Sequence, residues 1–281
     1  MIQDILPRKF KNHFENKEIK EQDNVLIFDD VKMLAKGKGE KIDFYTYKEC
    51  MVKEKRSYIY LFSIDEKNFF LYDNMGQNKE VSPLLIEKDK WMTMQQIRKC
   101  YPKEAIFTAV TGYHLYTWYK DNQYCGRCGS KTQRDTKERM LFCRCCENRI
   151  YPKIAPAVIV AVRNDNKILL TKYANRSYKR YALIAGFTEI GETVEETVKR
   201  EVMEEVGLQV KNIQYYKSQP WGFDSNLLMG FFCDVDQEEQ ISLDREELSW
   251  GEWVEREQVP VYTEGLSLTH EMMLQFKENI W

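Results

Sequence analysis

The chain has 281 residues, room for two modest domains rather than one large core. Its 42 Lys and Arg nearly balance 44 Asp and Glu, a net charge of −2, so no global positive field draws it to nucleic acid or to an anionic membrane. The opening MIQDILPRKFKNHF lacks the apolar core of a signal peptide, and the longest apolar run, 154–162, is too short to span a bilayer, so a cytoplasmic protein is expected.

Residues 1–120 are rich in Lys, Tyr and Phe, and the alternating stretches 58–64 and 68–72 predict strands. Residues 93–118 predict a mostly helical segment that Pro102 interrupts, since proline has no N–H to continue the ladder. No catalytic constellation falls there, and a smaller α+β domain is expected.

Residues 121–152 hold most of the cysteine. In a cytoplasmic chain, eight cysteines point to metal or free thiols rather than to a disulfide framework. Cys125 and Cys128, then fourteen residues, then Cys143 and Cys146 make a CxxC-x14-CxxC pattern, close to four-cysteine zinc spacing and one residue under the usual central length. Gly126 and Gly129 suit the tight knuckles that place two thiolates on one ion. Cys145 is a fifth thiol in the second knuckle and competes with Cys143 and Cys146 for a place. The expected Zn²⁺ is structural, stapling two domains. The basic residues Arg127, Lys131, Arg134 and Lys137 are offset little by acids, which leaves an RNA contact open. Cys50, Cys100 and Cys233 read as core thiols.

From residue 153 onward the composition changes. Residues 157–162, a turn at Asn164-Asp165-Asn166 and residues 167–171 predict a hairpin. Residues 181–184 and 227–235 predict further strands, with a helix between them. Thr193 and Glu196 form a capping box, Val194, Val198, Val202 and Val206 recur every four residues as a buried stripe, and Gly207 stands where a C-terminal cap belongs. That order suits a sheet covered by helices.

The helix carries the chemistry. Glu201, Glu204 and Glu205 are spaced i, i+3, i+4 and share one face. An exposed amphipathic helix can also be this acidic, because Glu195–Lys199 and Glu196–Arg200 are ordinary i, i+4 pairs. Two features favour a site: the glycine-bounded loop 186–191, where backbone can approach a ligand, and Arg200 beside the cluster. Clustered hard oxygen donors suit Mg²⁺ or Mn²⁺, which bridge phosphate oxygens and lower the pKa of a bound water.

Residues 186–208 fit the pattern G-x5-E-x7-R-E-U-x-E-E-x-G-U, with Gly186, Glu192, Arg200, Glu201, Glu204, Glu205 and Gly207 at its fixed places and Val202 and Leu208 at the aliphatic ones. This resembles the signature of the Nudix hydrolases and implies their α/β/α sandwich with a mixed sheet, here preceded by the zinc ribbon and the N-terminal domain. The expected domains are 1–120, 121–152 and 153–281. Ser218-Gln-Pro-Trp221, the ribbon ahead of the Nudix region, the Tyr151–Pro156 stretch and Ala185-Gly-Phe187 resemble the NAD(H) pyrophosphatase branch over roughly residues 120–281. That branch splits NAD(H) into nicotinamide mononucleotide and AMP, also removes NAD caps from RNA, and works as a homodimer with active-site parts from both subunits.

Carried over by position, the resemblance makes Glu201, Glu204 and Glu205 catalytic and metal-binding, with Glu205 the general base or bridging ligand. It makes Arg200 part of the catalytic group, Glu192 an outer supporting carboxylate and Glu247 a further metal ligand. On its own, Glu247 lies in the charge run 244–247 and reads as a solvated acid. Phe187 and Tyr151 match base-sandwiching aromatics, and Gln219, Trp221, Asn226 and Thr269 match substrate-side positions. The chain departs from the branch at Gly222 and Asp224, where the family has prolines. It departs again at the closing serine of that motif, which is Asn226 here, or Ser225 with a shift of one. Residues 267–269 stand where a small alanine is usual. These changes put the preference among NADH, NAD⁺ and other nucleotides in question. The alternatives are a hydrolase of another nucleoside diphosphate such as ADP-ribose, and an NAD- or RNA-binding protein without turnover.

Overall fold

The computed structural model describes residues 1–50, 58–74, 90–175, 180–236, 240–262 and 265–281, the side chains of Lys38 and Lys90 excepted. The chain divides into two compact units, one of Gln3–Lys153 with Gly222–Asp224, the other of Met1–Ile2, Ile154–Trp221 and Ser225–Trp281. Among the described residues no helix is long and apolar enough to cross a membrane.

The first unit contains a five-stranded sheet in the order Phe10–Lys11, Tyr58–Ile64, Lys67–Tyr72, Asn24–Leu26, Tyr45–Thr46. A second sheet is built on Lys32–Lys38. The strands expected at 58–64 and 68–72 are present, as Tyr58–Ile64 and Lys67–Tyr72, and they pair antiparallel. The interruption at Pro102 is present too. A one-turn helix, Met94–Ile97, precedes it, and the long helix α1, Lys103–Asp121, starts just after it with Pro102 as N-cap. There the missing N–H costs nothing, because the first donors of a helix have no intrahelical partner.

The same unit ends in a small three-stranded sheet: β1 (Gln133–Arg134), β2 (Leu141–Phe142) and β3 (Arg149–Ile150), all antiparallel.

The second unit is a six-stranded mixed sheet between two helices. Its strands are β4 (Ala155–Asn164), β5 (Lys167–Tyr173), β6 (Ile184–Phe187), β7 (Val210–Trp221), β8 (Asn226–Val235) and β9 (Leu248–Glu255). They run in the order β7-β8-β4-β5-β9, with β6 also pairing β4. The β4–β8 pair is parallel and the others are antiparallel. Strand β4 explains the layering, because its neighbours in sequence point to opposite faces. Val158, Val160 and Val162 meet helix α2 (Val194–Val206), whereas Ile159 and Ala161 meet helix α3 (Leu268–Lys277). Both faces are covered, so the strand reads as one apolar run. Val198, Val202 and Val206 of the stripe on α2 are fully buried.

The 157–171 hairpin forms as expected, with Asp165 in the left-handed region at φ 49°. The strand expected at 181–184 is displaced. Ala182 only bridges Thr171, and the strand proper runs Ile184–Phe187. Pairing with β4 decides this, overriding the weak strand preference of Ala185 and Gly186.

Helix α2 begins with the full capping box: Thr193 Oγ1 accepts from Glu196 N–H at 3.2 Å while the Glu196 carboxylate accepts from Thr193 N–H at 2.8 Å. Gly207 closes it at φ 71°. Replacing Thr193 by Ala is expected to lower stability by about 1 kcal/mol, read as a shift in urea midpoint at constant m. No shift would mean that tertiary contacts alone hold the helix start.

Candidate active site

The geometry is set where β6 passes beneath α2. A Cβ built on Gly186 would lie 1.9 Å from the carboxyl carbon of Glu201 and 2.0 Å from its Oε1. The carboxylate therefore rests directly on the strand backbone, and only glycine leaves it room. One turn on, Glu205 Oε1 accepts from Ala185 N–H at 3.4 Å. Glu201 and Glu205 are both buried, while Glu204 is open to solvent. Burial pushes the Glu201 carboxyl above its usual range; Arg200 opposes this, and the charges of Glu204 and Glu247 add to it.

Arg200 ties the cluster together. Its Nε and Nη2 grip Glu192 at 2.8 and 2.9 Å, Nη2 also donates to the Phe187 carbonyl at 2.9 Å, and Nη1 reaches Glu201 at 2.7 Å and Glu204 at 3.0 Å. Glu192 further accepts from Thr197 Oγ1 and from Glu189 N–H. Donation from Arg200, then from Glu189 N–H, holds the Glu192 carboxyl down to about 2. Glu192 thus fastens the loop to the helix, and three carboxylates share one guanidinium. The donors are hard oxygens held partly out of water, which fits Mg²⁺ or Mn²⁺. Their oxygens do not converge as tightly as a closed cage, since among the described residues the only group whose donor atoms all lie within 4.8 Å is made of cysteines.

The remaining expected residues fall on separate elements. Phe187, at the end of β6, is 53% exposed. Glu247 is exposed just before β9, and its carbonyl accepts from Ala174 N–H. Thr269 is half-buried in the first turn of α3, and Trp221 is half-buried at the end of β7. Gln219 is wholly buried. Its Nε2 donates to the Leu266 carbonyl at 2.8 Å and its Oε1 accepts from Leu268 N–H at 2.7 Å, so the carboxamide holds the entry of α3. Tyr151 belongs to the other unit and is 52% exposed.

Asn226 is 8% exposed, and its Oδ1 has no hydrogen-bond partner among the described residues. The same holds for Thr188 Oγ1, which the sequence reading missed. Asn226 pairs with Ala155 and Thr188 N–H donates to the Pro156 carbonyl, so the two flank one end of β4. Nothing in the local sequence distinguishes Thr188; only this pairing does.

The cysteines form two knuckles with one backbone pattern. Cys125 N–H donates to the Ser130 carbonyl and Gly129 N–H to the Cys125 carbonyl; Cys143 N–H donates to Asn148 and Glu147 N–H to Cys143. Superposing the patterns pairs Cys128 with Cys146 and leaves Cys145 opposite Arg127, outside the cluster and exposed. The Sγ atoms of Cys125, Cys128, Cys143 and Cys146 all lie within 4.8 Å of one another. A tetrahedron of thiolates about 2.3 Å from one ion has sulfurs about 3.8 Å apart, so these four fit a single metal. Hydrogen bonds from Ser130 bring the Cys128 thiol down to about 6, and Arg127 N–H lowers Cys125.

A NUDIX domain profile matches residues 153–275. The NAD-capped RNA hydrolase NudC of Photorhabdus laumondii is 41% identical over 150 residues, 53% of this chain and 58% of that protein. The protein of the same name from Enterobacter sp. is 38% identical over 63% of this chain and 69% of its own length. For Klebsiella pneumoniae the figures are 35%, 67% and 74%. The match thus spans less than two thirds of the first of these relatives and more than two thirds of the other two.

Replacing Gly186 by Ala must push the Glu201 carboxylate off its seat. Mn²⁺ binding, followed by titration calorimetry, is expected to weaken about 10–100-fold with little loss of thermal stability. Unchanged affinity would remove Glu201 from the metal site.

Proposed function

The chain belongs to the NudC family of Nudix hydrolases, and from that premise we propose that it hydrolyses the diphosphate of NAD(H) to nicotinamide mononucleotide and AMP, and removes the same group where it caps RNA. The observation that carries this reading is the buried pair Glu201 and Glu205 seated on the backbone of Gly186 and Ala185, with Arg200 bridging to Glu192 and Glu204. A protein that only bound the nucleotide would have no use for so many carboxylates around one guanidinium.

Magnesium or manganese, held by Glu201, Glu204 and Glu205 with help from Glu247, would neutralise the diphosphate and make an attacking water more acidic. Glu205 accepts that proton on its carboxylate, oriented through Oε1 by Ala185 N–H. Arg200 keeps the carboxylates and the 187–192 loop in register. Phe187 offers an open ring face to a base, with Tyr151 as the second ring in a homodimer. Asn226 Oδ1 and Thr188 Oγ1, both without a hydrogen-bond partner among the described residues, would bond sugar hydroxyls, with Trp221, paired to Asn226, and Thr269 as further substrate-side residues. Gln219 serves by fixing the segment that leads into α3. A zinc ion held by Cys125, Cys128, Cys143 and Cys146 would fasten the ribbon.

Incubation with Mn²⁺ and NAD⁺, NADH, ADP-ribose or NAD-capped RNA is expected to yield nicotinamide mononucleotide from NAD⁺ and capped RNA, its reduced form from NADH, and AMP from the free dinucleotides. Cleavage of ADP-ribose alone would overturn the substrate assignment. Replacing Glu205 by Gln should cut kcat about 10²–10⁴-fold without unfolding the chain; near-normal turnover would remove it as base.

The ribbon has its own test in metal analysis. Cys145→Ser is expected to retain one zinc per chain, whereas Cys146→Ser loses it and melts earlier, because structural zinc binding is coupled to folding. Equal zinc loss in both variants would contradict the knuckle alignment.

A further inference from the structure

We propose that one face of the three-stranded ribbon sheet binds the single-stranded body of an RNA. The choice of occupant rests on capped RNA being a substrate.

The face follows from strand register. Gln133 pairs with Phe142, and Phe142 with Arg149, so the three lie in one row on one side of the sheet. Strands alternate sides with period two, so the chain just outside the strands carries Lys131, two residues before Gln133, and Tyr151, two after Arg149, on the same face. Tyr124 bridges Lys131 directly. The alternate row, Arg134, Leu141 and Ile150, includes the buried Leu141 and marks the inner side.

The outer face therefore combines two cations, Lys131 and Arg149, with three rings. Tyr124 is 61% exposed and Phe142 is half-buried. Large exposed rings are expensive to leave in water, and rings interleaved with cations are what a flexible polyanion of stacked bases requires. Local charge agrees. Residues 122–153 contain eight Lys and Arg against three Asp and Glu, and with the −2 of a zinc bound by four thiolates the segment still carries about +3 inside a chain whose side chains sum to −2. Two of the three acids are already engaged. Glu138 accepts from Tyr151 Oη at 3.1 Å, and Asp135 accepts from the Lys137 and Glu138 N–H groups in a turn. With strands about 4.8 Å apart the sheet is roughly 10 Å wide, room for two or three bases and too little for a duplex groove.

The test uses the full-length, zinc-loaded chain with Tyr124→Ala/Lys131→Glu. Binding of a 5′-phosphorylated, uncapped 30-nucleotide RNA is followed by fluorescence anisotropy, alongside turnover of free NAD⁺ and of the same RNA with an NAD cap. The expected result is affinity for uncapped RNA weakened about tenfold or more, a shallower salt dependence and a raised KM for capped RNA. Zinc content and kcat/KM for NAD⁺ should stay unchanged, and Lys131→Arg should bind like the parent. Unchanged RNA affinity overturns the proposal, as does an equal fall in NAD⁺ turnover. A change in oligomeric mass by sedimentation without a change in RNA affinity also overturns it and assigns the face to a second copy of the chain. Because the uncapped arm needs no turnover, failure of the hydrolase reading would be seen separately, as loss of activity on both substrates in the parent protein.

Discussion

Four carboxylates crowded onto one helix and loop, with a single guanidinium that binds three of them, is the constraint on which the rest of the second unit depends. Glu192, Glu201, Glu204 and Glu205 bring four potential negative charges and Arg200 brings one positive. Two unit charges 4 Å apart interact by about 4 kcal/mol at an effective dielectric of 20, so this crowd is unfavourable unless further cations join it. Arg200 takes Glu192 bidentately and holds the loop by the Phe187 carbonyl, leaving single bonds for Glu201 and Glu204. The arginine thus acts mainly as a structural tie. The charge left over belongs to the buried face, where Glu201 and Glu205 lean on the backbone of Gly186 and Ala185.

That arrangement requires the sheet to be rigid on both sides. Strand β4 is clamped between the valine stripe of α2 and the Leu268–Met272–Phe276 side of α3, and β6 inherits its position from β4. Gln219 extends the same logic to the far helix. A carboxamide buried without partners would cost several kcal/mol, and here both of its ends are spent on the backbone of Leu266 and Leu268. Strand β7 and the entry of α3 therefore move as one piece. Thr269, in the first turn of α3, is placed by Gln219 as much as by its own helix.

How far the sequence could be read follows from where the signals are local. The helix was legible because its cap, its valine stripe and its terminal glycine sit within one short window, and the carboxylates ride on it. The hairpin was legible for the same reason. Strand β7 was not, because polar Lys211, Asn212 and Gln214 break its alternation and Pro220 argues against a strand. Pro220 is tolerated because β7 is an edge strand, where a missing donor leaves no ladder unpaired. The place of Cys145 could not be read from spacing either, since CRCC offers two registers. The backbone hydrogen bonds of the second knuckle decide it. Thr188 and Asn226 gain their significance only when β6 and β8 flank β4, a relation between distant segments.

The loop after Trp221, where the motif it resembles has prolines, is restrained here in another way. Losing two prolines would ordinarily free the backbone, since proline restricts φ in the unfolded and folded chain alike. Gly222 is not free, however. A Cβ there would lie 2.6 Å from the Val110 carbonyl oxygen and 3.1 Å from the His114 Cβ, so its backbone is pressed onto α1. Contact replaces ring closure as the restraint. The same crowding excludes proline at 222 unless α1 shifts, which links the loop to residues more than a hundred positions earlier. Asp224 is exposed, and Ser225 turns the chain at φ 59° so that Asn226 can enter β8 facing Ala155. Asn226 thus reaches the end of β4 through strand pairing, and the substitutions before it alter the charge and shape of the loop while leaving that anchor in place.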